Sequence, residues 1–260
     1  MKKILKTSFI FLLTIAIISW TSFGNPSIAE AAIVHDTDST KIVNGFAASP
    51  TNTWSHTTTA GSTLGVLACS IWQDVPGSGT VGSATYNGST ITAVNSTLSG
   101  AMYSYIGYIV NPTSGVNTVS VTVSGNIDGF KCSFSTYSGT NTSSPVDTSA
   151  LGVTGTTPYT SVSQAITTAN AGELVVAQLS KFGVQALTVG GGQTTVMNDV
   201  TGSISGATGQ QIVATASTVT PSWTMASNSN DWSIVAVAFK ASSGGGGGGG
   251  SVSFIIFDDL

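Results

Sequence analysis

The stretch "TLGVLACSIW", residues 63–72, is an apolar run with a cysteine in its middle. Cys69 alternates with Leu67 and Ile71, so these three side chains fall on one face of a β-strand. The only other cysteine of the chain, Cys132, is flanked in the same alternating way by two phenylalanines. Both cysteines are therefore predicted to lie on strands and to point into a core.

Two structural roles are open for these cysteines. They either fill the core as small apolar side chains or form a disulfide between neighbouring strands, which an oxidising compartment favours. A bond between Cys69 and Cys132 would close a loop of about 63 residues and contribute about 4 kcal/mol in the chain-entropy description. Neither cysteine has a histidine or aspartate nearby in sequence, so a catalytic thiol is not expected.

Two series of strand-like segments in the chain resemble each other. The aligned pairs are "TTTAGSTLGVLACS" (57–70) with "TTANAGELVVAQLS" (167–180), and "FKCSFSTYSG" (130–139) with "WSIVAVAFKA" (232–241). Leu179 then stands opposite Cys69, and Ile234 stands opposite Cys132. This pattern predicts an ancient duplication or a pseudo-symmetric sandwich, in which the cysteines replace core aliphatic residues of the other half.

Strand-like segments recur along the chain and are separated by turn sequences such as "YNGS" and "NPTSG". We predict strands near residues 54–59, 63–72, 81–86, 89–95, 102–110, 117–124, 130–137, 160–167, 173–182, 186–189, 193–199, 210–217, 221–226 and 231–240. No window sustains a helical period with caps. The predicted fold is all-β: a two-sheet antiparallel β-sandwich, jelly-roll-like, whose two pseudo-repeated halves share one interior.

The beginning of the chain has the features of a signal peptide. Residues 1–31 combine three lysines, an apolar run and a small-x-small ending, which predicts cleavage after Ala31. An uncleaved membrane anchor is the alternative, although the apolar run is shorter than a membrane span requires. We therefore predict a secreted protein, extracellular or at the cell surface, with no membrane span after cleavage.

The remainder divides into three predicted parts. Residues 32–50 form a lead-in segment, and residues 51–242 form the β-sandwich domain, with halves at about 54–139 and 160–241. Residues 243–260 combine a glycine-rich linker with a short apolar tail.

Charge excludes one class of partner. After residue 31 the chain keeps four lysines and no arginine against ten acidic residues. Binding to a phosphate backbone depends on basic side chains, so we predict no nucleic-acid partner.

Three segments resemble a known class of module: "MYSYIGYIVNPTSGVNTVSVTVSG" (102–125), "SFSTYSGTNTSSPVDTSA" (133–150) and the closing "DWSIVAVAFKA" (231–241). They are similar to secreted bacterial β-sandwich modules of large surface proteins, which are jelly-roll, concanavalin-like in outline. The resemblance spans about residues 52 to 241. It implies a fold more than an activity, and it supplies no functional residues to carry over.

Catalytic chemistry is not predicted. The two histidines are His35 and His56, and a hydrolytic triad would need one of them beside a serine and a carboxylate. A hydrolase based on His56 is therefore the least favoured of three functions, and no catalytic or cofactor-binding residues are expected.

Four other residues are candidates for binding. Asp128 and Asp147 suit turn capping, with a Ca²⁺ site as the alternative because hard oxygen ligands bind calcium. Tyr103 and Tyr105, on a strand that is apolar on both faces, belong either to the core or to an exposed carbohydrate-binding surface.

These observations favour an exported, non-catalytic structural or adhesive module. The alternative is a carbohydrate-binding module that uses exposed aromatic residues, with Ca²⁺ as a possible cofactor. The expected partners are glycans or other surface proteins.

Overall fold

A computed structural model of the chain describes residues 32–153, 159–190, 192–228 and 231–243. The predicted signal peptide and nearly all of the predicted linker and tail lie outside these residues. The regular elements described are all strands: β1 Val34–Ala48, β2 Thr51–Thr58, β3 Leu64–Gln73, β4 Thr80–Tyr86, β5 Ser89–Thr90, β6 Thr92–Ser99, β7 Met102–Val110, β8 Gly115–Ser124, β9 Asn126–Ser138, β10 Val146–Val153, β11 Tyr159–Ser163, β12 Ile166–Thr167, β13 Glu173–Phe182, β14 Thr188–Val189, β15 Thr194–Asp199, β16 Ile204–Val213, β17 Thr218–Val219, β18 Ser222–Asn228 and β19 Trp232–Phe239.

The strands form antiparallel sheets, which confirms the predicted all-β sandwich class. In the N-terminal half, an inner sheet has the order β1-β9-β3-β7-β6 and an outer sheet the order β2-β8-β4-β5. In the C-terminal half, the inner sheet is β10-β19-β13-β16-β15 and the outer sheet is β11-β18-β14, beside the pair β12-β17. The inner sheets correspond strand by strand. The duplication itself stays a prediction.

The sequence analysis predicted that the two halves share one interior, but the structure has separate apolar clusters in the two halves. One apolar cluster lies between the inner and outer sheets of the N-terminal half, and a second lies between those of the C-terminal half. A third cluster joins the two inner sheets across what we call the seam, and it includes Leu64, Ile106, Leu174 and Val237. Each inner sheet is therefore covered on both faces, which explains why nearly every side chain of β3 and β13 is buried.

The cysteines lie at the centre of the N-terminal half. Cys69 on β3 is paired in register with Cys132 on β9, and the two form a disulfide with a Cα–Cα distance of 4.1 Å. Both side chains are fully buried. In the C-terminal half, Leu179 on β13 pairs with Ile234 on β19 in the same way. The structure thus places the two aligned residue pairs at corresponding positions.

The seam has a polar zone next to its apolar cluster. Ser104 Oγ lies 2.7 Å from Ser180 Oγ and 2.9 Å from Ser233 Oγ, so β7 contacts two strands of the opposite sheet. Ser180 Oγ also donates to Ser70 Oγ at 2.8 Å, and Gln178 Nε2 donates to the same oxygen at 2.7 Å. All five side chains are fully buried. Hydrogen bonding between the halves offsets the desolvation of these polar groups.

Small residues allow the sheets to approach this closely. A methyl group added at Gly206 on β16 would lie 2.9 Å from Ser70 Oγ and 3.1 Å from Lys131 Cδ, both of the other half. No other residue type fits there without displacing its neighbours.

The predicted strand list differs from the structure at three places. It omits β1, which lies in the predicted lead-in segment, and β10, and it begins β16 near residue 210 rather than at Ile204. The beginning of β16 reads "ISGATG" and contains little of the aliphatic alternation that predicts a strand. Its small residues are those that the seam requires.

We expect the disulfide to stabilise the fold by about 4 kcal/mol. Reduction should lower the free energy of unfolding of the wild-type protein by about that amount, measured by chemical denaturation with and without reductant. The double variant Cys69→Leu, Cys132→Ile copies the corresponding pair of the other half and keeps an apolar core. Its stability should not respond to reductant. An unchanged wild-type midpoint under reducing conditions would contradict the expectation.

We also expect Gly206→Ala to destabilise the protein by about 1–3 kcal/mol, because overpacking forces the inner sheets apart. The Ser70→Gly background removes the nearest contact and should reduce this cost. A double-mutant cycle measures the coupling. Additive effects of the two substitutions would show that Gly206 is not required by the seam.

Candidate functional site

Tyr103 and Tyr105 do not form an exposed aromatic surface. They are 7% and 4% exposed and belong to the apolar cluster between the sheets of the N-terminal half. Burial raises the pKa of Tyr105 to about 12, and the nearby Tyr103 adds to the rise. The strand that carries them is central and covered on both faces, so its double-sided apolar pattern reflects packing rather than sugar binding.

Asp128 and Asp147 do not come together in one site. Burial and the charge of Asp74 raise the pKa of Asp128. Asp147 lies on β10 and interacts instead with Glu173 on β13. Among the residues that the structure describes, no group of three or more histidine, cysteine or acidic side chains could hold a metal ion.

His56 is buried in a cluster of hydroxyl groups. Its Nδ1 lies 2.9 Å from Ser39 Oγ, and its Nε2 lies 3.2 Å from Thr37 Oγ1. Burial lowers the pKa of His56 to about 4, although the charge of Asp38 partly opposes this shift. Asp38 itself bonds His35 at 2.8 Å. The cluster ties β1 to β2 on the outer sheet. Within the part of the chain that the structure describes, His56 bonds hydroxyl groups and no carboxylate, whereas a triad would require one.

A cavity of about 270 Å³ opens at one end of the seam and is a candidate for a binding site. Its wall on the N-terminal half carries the rings of His35 and Tyr137, whose centroids lie 5.4 Å apart. Its wall on the C-terminal half carries Thr194, Gln210 and Gln211, together with two aliphatic side chains. The cavity exists because β15 begins at Thr194, which pairs with Gln210, so the end of β16 has no strand on that side.

The cavity is lined by neutral polar groups. Tyr137 donates its hydroxyl proton to Gln210 Oε1, and burial raises the pKa of Tyr137 well above its usual value. The charges of Asp38 and Asp36 add to that rise, so the phenol stays a neutral donor. Gln211 Oε1 is buried and has no hydrogen-bond partner within the described structure. An unpaired acceptor beside aromatic rings suits a ligand that carries hydroxyl groups and no negative charge.

The cavity residues were not singled out in the sequence. The one local signal is the pair of glutamines in "GQQIV", which interrupts a strand that is otherwise apolar or small at this end. The rings on the other wall come from β1 and β9, more than seventy residues earlier. Only the packing of the two halves brings these groups together.

Comparisons with protein-family models, with curated proteins and with solved structures found no match. Within the described residues, no helix has the length and apolar character needed to cross a membrane.

We expect the buried His56 to make the fold sensitive to acid. Its pKa in the folded protein, about 4, lies below the ordinary value of 6.5, so folding disfavours the protonated ring. The free energy of unfolding should be highest above about pH 6.5 and should fall towards pH 4, with a loss of about 2.5 kcal/mol near pH 4.5. The measurement is urea denaturation across this range.

His56→Gln supplies the comparison, since it removes the titrating ring and should flatten the dependence of stability on pH. His35→Gln, at the exposed histidine, is the matched control and should retain the dependence. A curve for His56→Gln that parallels the wild type would contradict this assignment.

Proposed function

We propose that this protein is an exported, non-catalytic module that serves a structural or adhesive role outside the cell or on its surface. The observation that carries the proposal is the buried disulfide between the central strands β3 and β9. Such bonds form and persist in oxidising compartments and are rare in the cytosol. The signal-peptide features of residues 1–31 support the same destination.

The placement of the lysines supports a durable extracellular module. Lys131 and Lys181 are fully buried. Lys131 forms an ion pair across the seam with Asp199, and Lys181 Nζ donates to the Phe182 carbonyl at 2.7 Å. The chain has no arginine, and its other lysines after residue 31 are Lys41 and Lys240. A protease that cleaves after basic residues therefore has few accessible peptide bonds to cleave.

The resemblance to secreted bacterial surface modules supports the same proposal at the level of architecture. Two sandwiches joined along a hydrogen-bonded seam give a rigid unit with Ser/Thr-rich strands in its outer sheets. Rigid sandwich units of this kind suit a structural role. Partners would be glycans or other surface proteins.

Export and durability can be tested together. When the full chain is expressed in a bacterium, the protein recovered from outside the cytoplasm should begin at Ala32 and contain the intact disulfide, measured by mass spectrometry. Native protein should resist trypsin at Lys131 and Lys181, whereas reduced and denatured protein is cleaved at both. A cytoplasmic protein with free thiols and an uncleaved leader would overturn the proposal.

A carbohydrate-binding function is the second candidate, and the cavity at the seam favours it. Sugars present hydroxyl donors and apolar ring faces, which match the unpaired Gln211 Oε1 and the neighbouring aromatic rings. For this second candidate we propose His35, Tyr137 and Gln211 as the ligand site, instead of the buried Tyr103 and Tyr105.

We expect binding to neutral glycans on an array, with affinity reduced about tenfold by Gln211→Leu, because the variant removes the unpaired acceptor. Gln164→Ala is the matched control: its amide bonds only the adjacent Ala165 carbonyl, at 2.9 Å, and its loss should change nothing. The absence of any glycan signal, or equal binding by both variants, would remove this second function.

A further inference from the structure

Glu173, at the beginning of β13, is an acidic side chain that forms no ion pair with any of the described residues. The residue is fully buried. Its Oε1 accepts a hydrogen bond from Asn170 Nδ2 at 2.8 Å, whereas its Oε2 is buried with no partner in the described structure. The described ion pairs involve other residues. A buried carboxylate oxygen left in this state is costly, so a further group is needed to satisfy it.

A second carboxylate lies next to Glu173. Asp147, half-buried in the irregular part of β10, interacts with Glu173 through its charge and through a contact between the two carboxyl groups within hydrogen-bond range. One oxygen of Asp147 is already engaged, since the Ala169 N–H donates to Oδ2 at 2.9 Å. The same short turn before β13 thus supplies one donor to each carboxylate, and these donors hold the two acidic groups against each other.

The corresponding position of the N-terminal half has no such pair. Asp36 lies in the equivalent irregularity of β1, between His35 and Thr37. Its oxygens accept from Ser62 Oγ at 2.6 Å and from Ser138 Oγ at 3.2 Å. An aspartate at this place in the fold is thus satisfied by hydroxyl groups alone. The second carboxylate is a feature of the C-terminal half only.

We propose that Asp147 and Glu173 bind a divalent cation, with calcium favoured, and that water completes the ligand set on the exposed side of Asp147. Calcium takes hard oxygen ligands, and weak calcium sites in extracellular modules bind in the millimolar to sub-millimolar range. The cation neutralises two adjacent negative charges and coordinates the oxygen that no donor reaches. Asn170, which is exposed and already contacts Glu173, holds that carboxylate in place.

A proton is the competing occupant. Burial raises the pKa of Glu173, and the charge of Asp147 adds to the rise, so a neutral Glu173 could donate to Asp147 instead. Cation and proton exclude each other, because the cation requires both groups to be ionised. Cation binding should therefore strengthen as the pH rises.

The test is thermal unfolding and calorimetric titration of the full chain at pH 7.5. Addition of CaCl₂ to EDTA-treated protein should raise Tm by at least about 2 °C, with one calcium bound. Asp147→Asn and Glu173→Gln should each abolish both effects. Asp147→Asn changes a half-exposed group and keeps the variant testable if Glu173→Gln does not fold.

Asp36→Asn is the matched control, because it alters the corresponding aspartate of the half that has no second carboxylate. It should keep the full calcium response. The proposal is overturned if wild-type protein binds no calcium at pH 7.5, or if both acidic-site variants bind it as the wild type does. Stabilisation by acid alone, lost in Glu173→Gln, would identify a shared proton instead.

Discussion

The structure depends on the requirement that each inner sheet be shielded from water on both faces. One face packs against an outer sheet of the same half, and the other packs against the inner sheet of the opposite half. A strand in this position has no solvent-facing side, so every polar group on it must find a partner within the protein. This constraint determines the composition of β3 and β13 and the character of the seam.

The seam meets this constraint in two ways. At one end it buries aliphatic side chains from both halves, which supplies the non-directional part of the association. Next to them, serine hydroxyls and the Gln178 amide bond one another across the gap. Hydrogen bonds of this kind require particular relative positions, whereas apolar contacts tolerate sliding. The polar zone therefore specifies the register in which the two sandwiches associate, and Gly206 allows the separation that its short side chains need.

The local pattern of the sequence was sufficient for the strand class and for the burial of both cysteines, but it left open whether the cysteines form a disulfide. The alternation around Cys69 and Cys132 identified their shared face, and the alignment with Leu179 and Ile234 matched the register that the structure contains. The layering was not predicted, because consecutive apolar residues such as those that begin β3 indicate a strand covered on both faces but do not identify the sheet that covers each face. The tyrosines of β7 illustrate the difficulty: a strand apolar on both faces fits equally well inside two cores or under a bound sugar. The beginning of β16 was missed because its small residues, which allow the two inner sheets to approach closely, have a low β-strand propensity.

The most informative positions are those at which the two halves differ while the fold around them is the same. Where the C-terminal half packs Leu179 against Ile234, the N-terminal half has a disulfide, so the covalent bond is an addition to a core that packing alone can fill. Where Asp36 is satisfied by hydroxyls, the C-terminal half brings a buried Glu173 against Asp147 at a cost in desolvation. The Asp147–Glu173 pair is less favourable for stability than the hydroxyl contacts of Asp36, although both fit a similar backbone. This difference indicates that the acidic pair serves a function other than stabilising the fold. The seam cavity is a further feature that does not follow from the fold of one half, because each half supplies only one of its two walls.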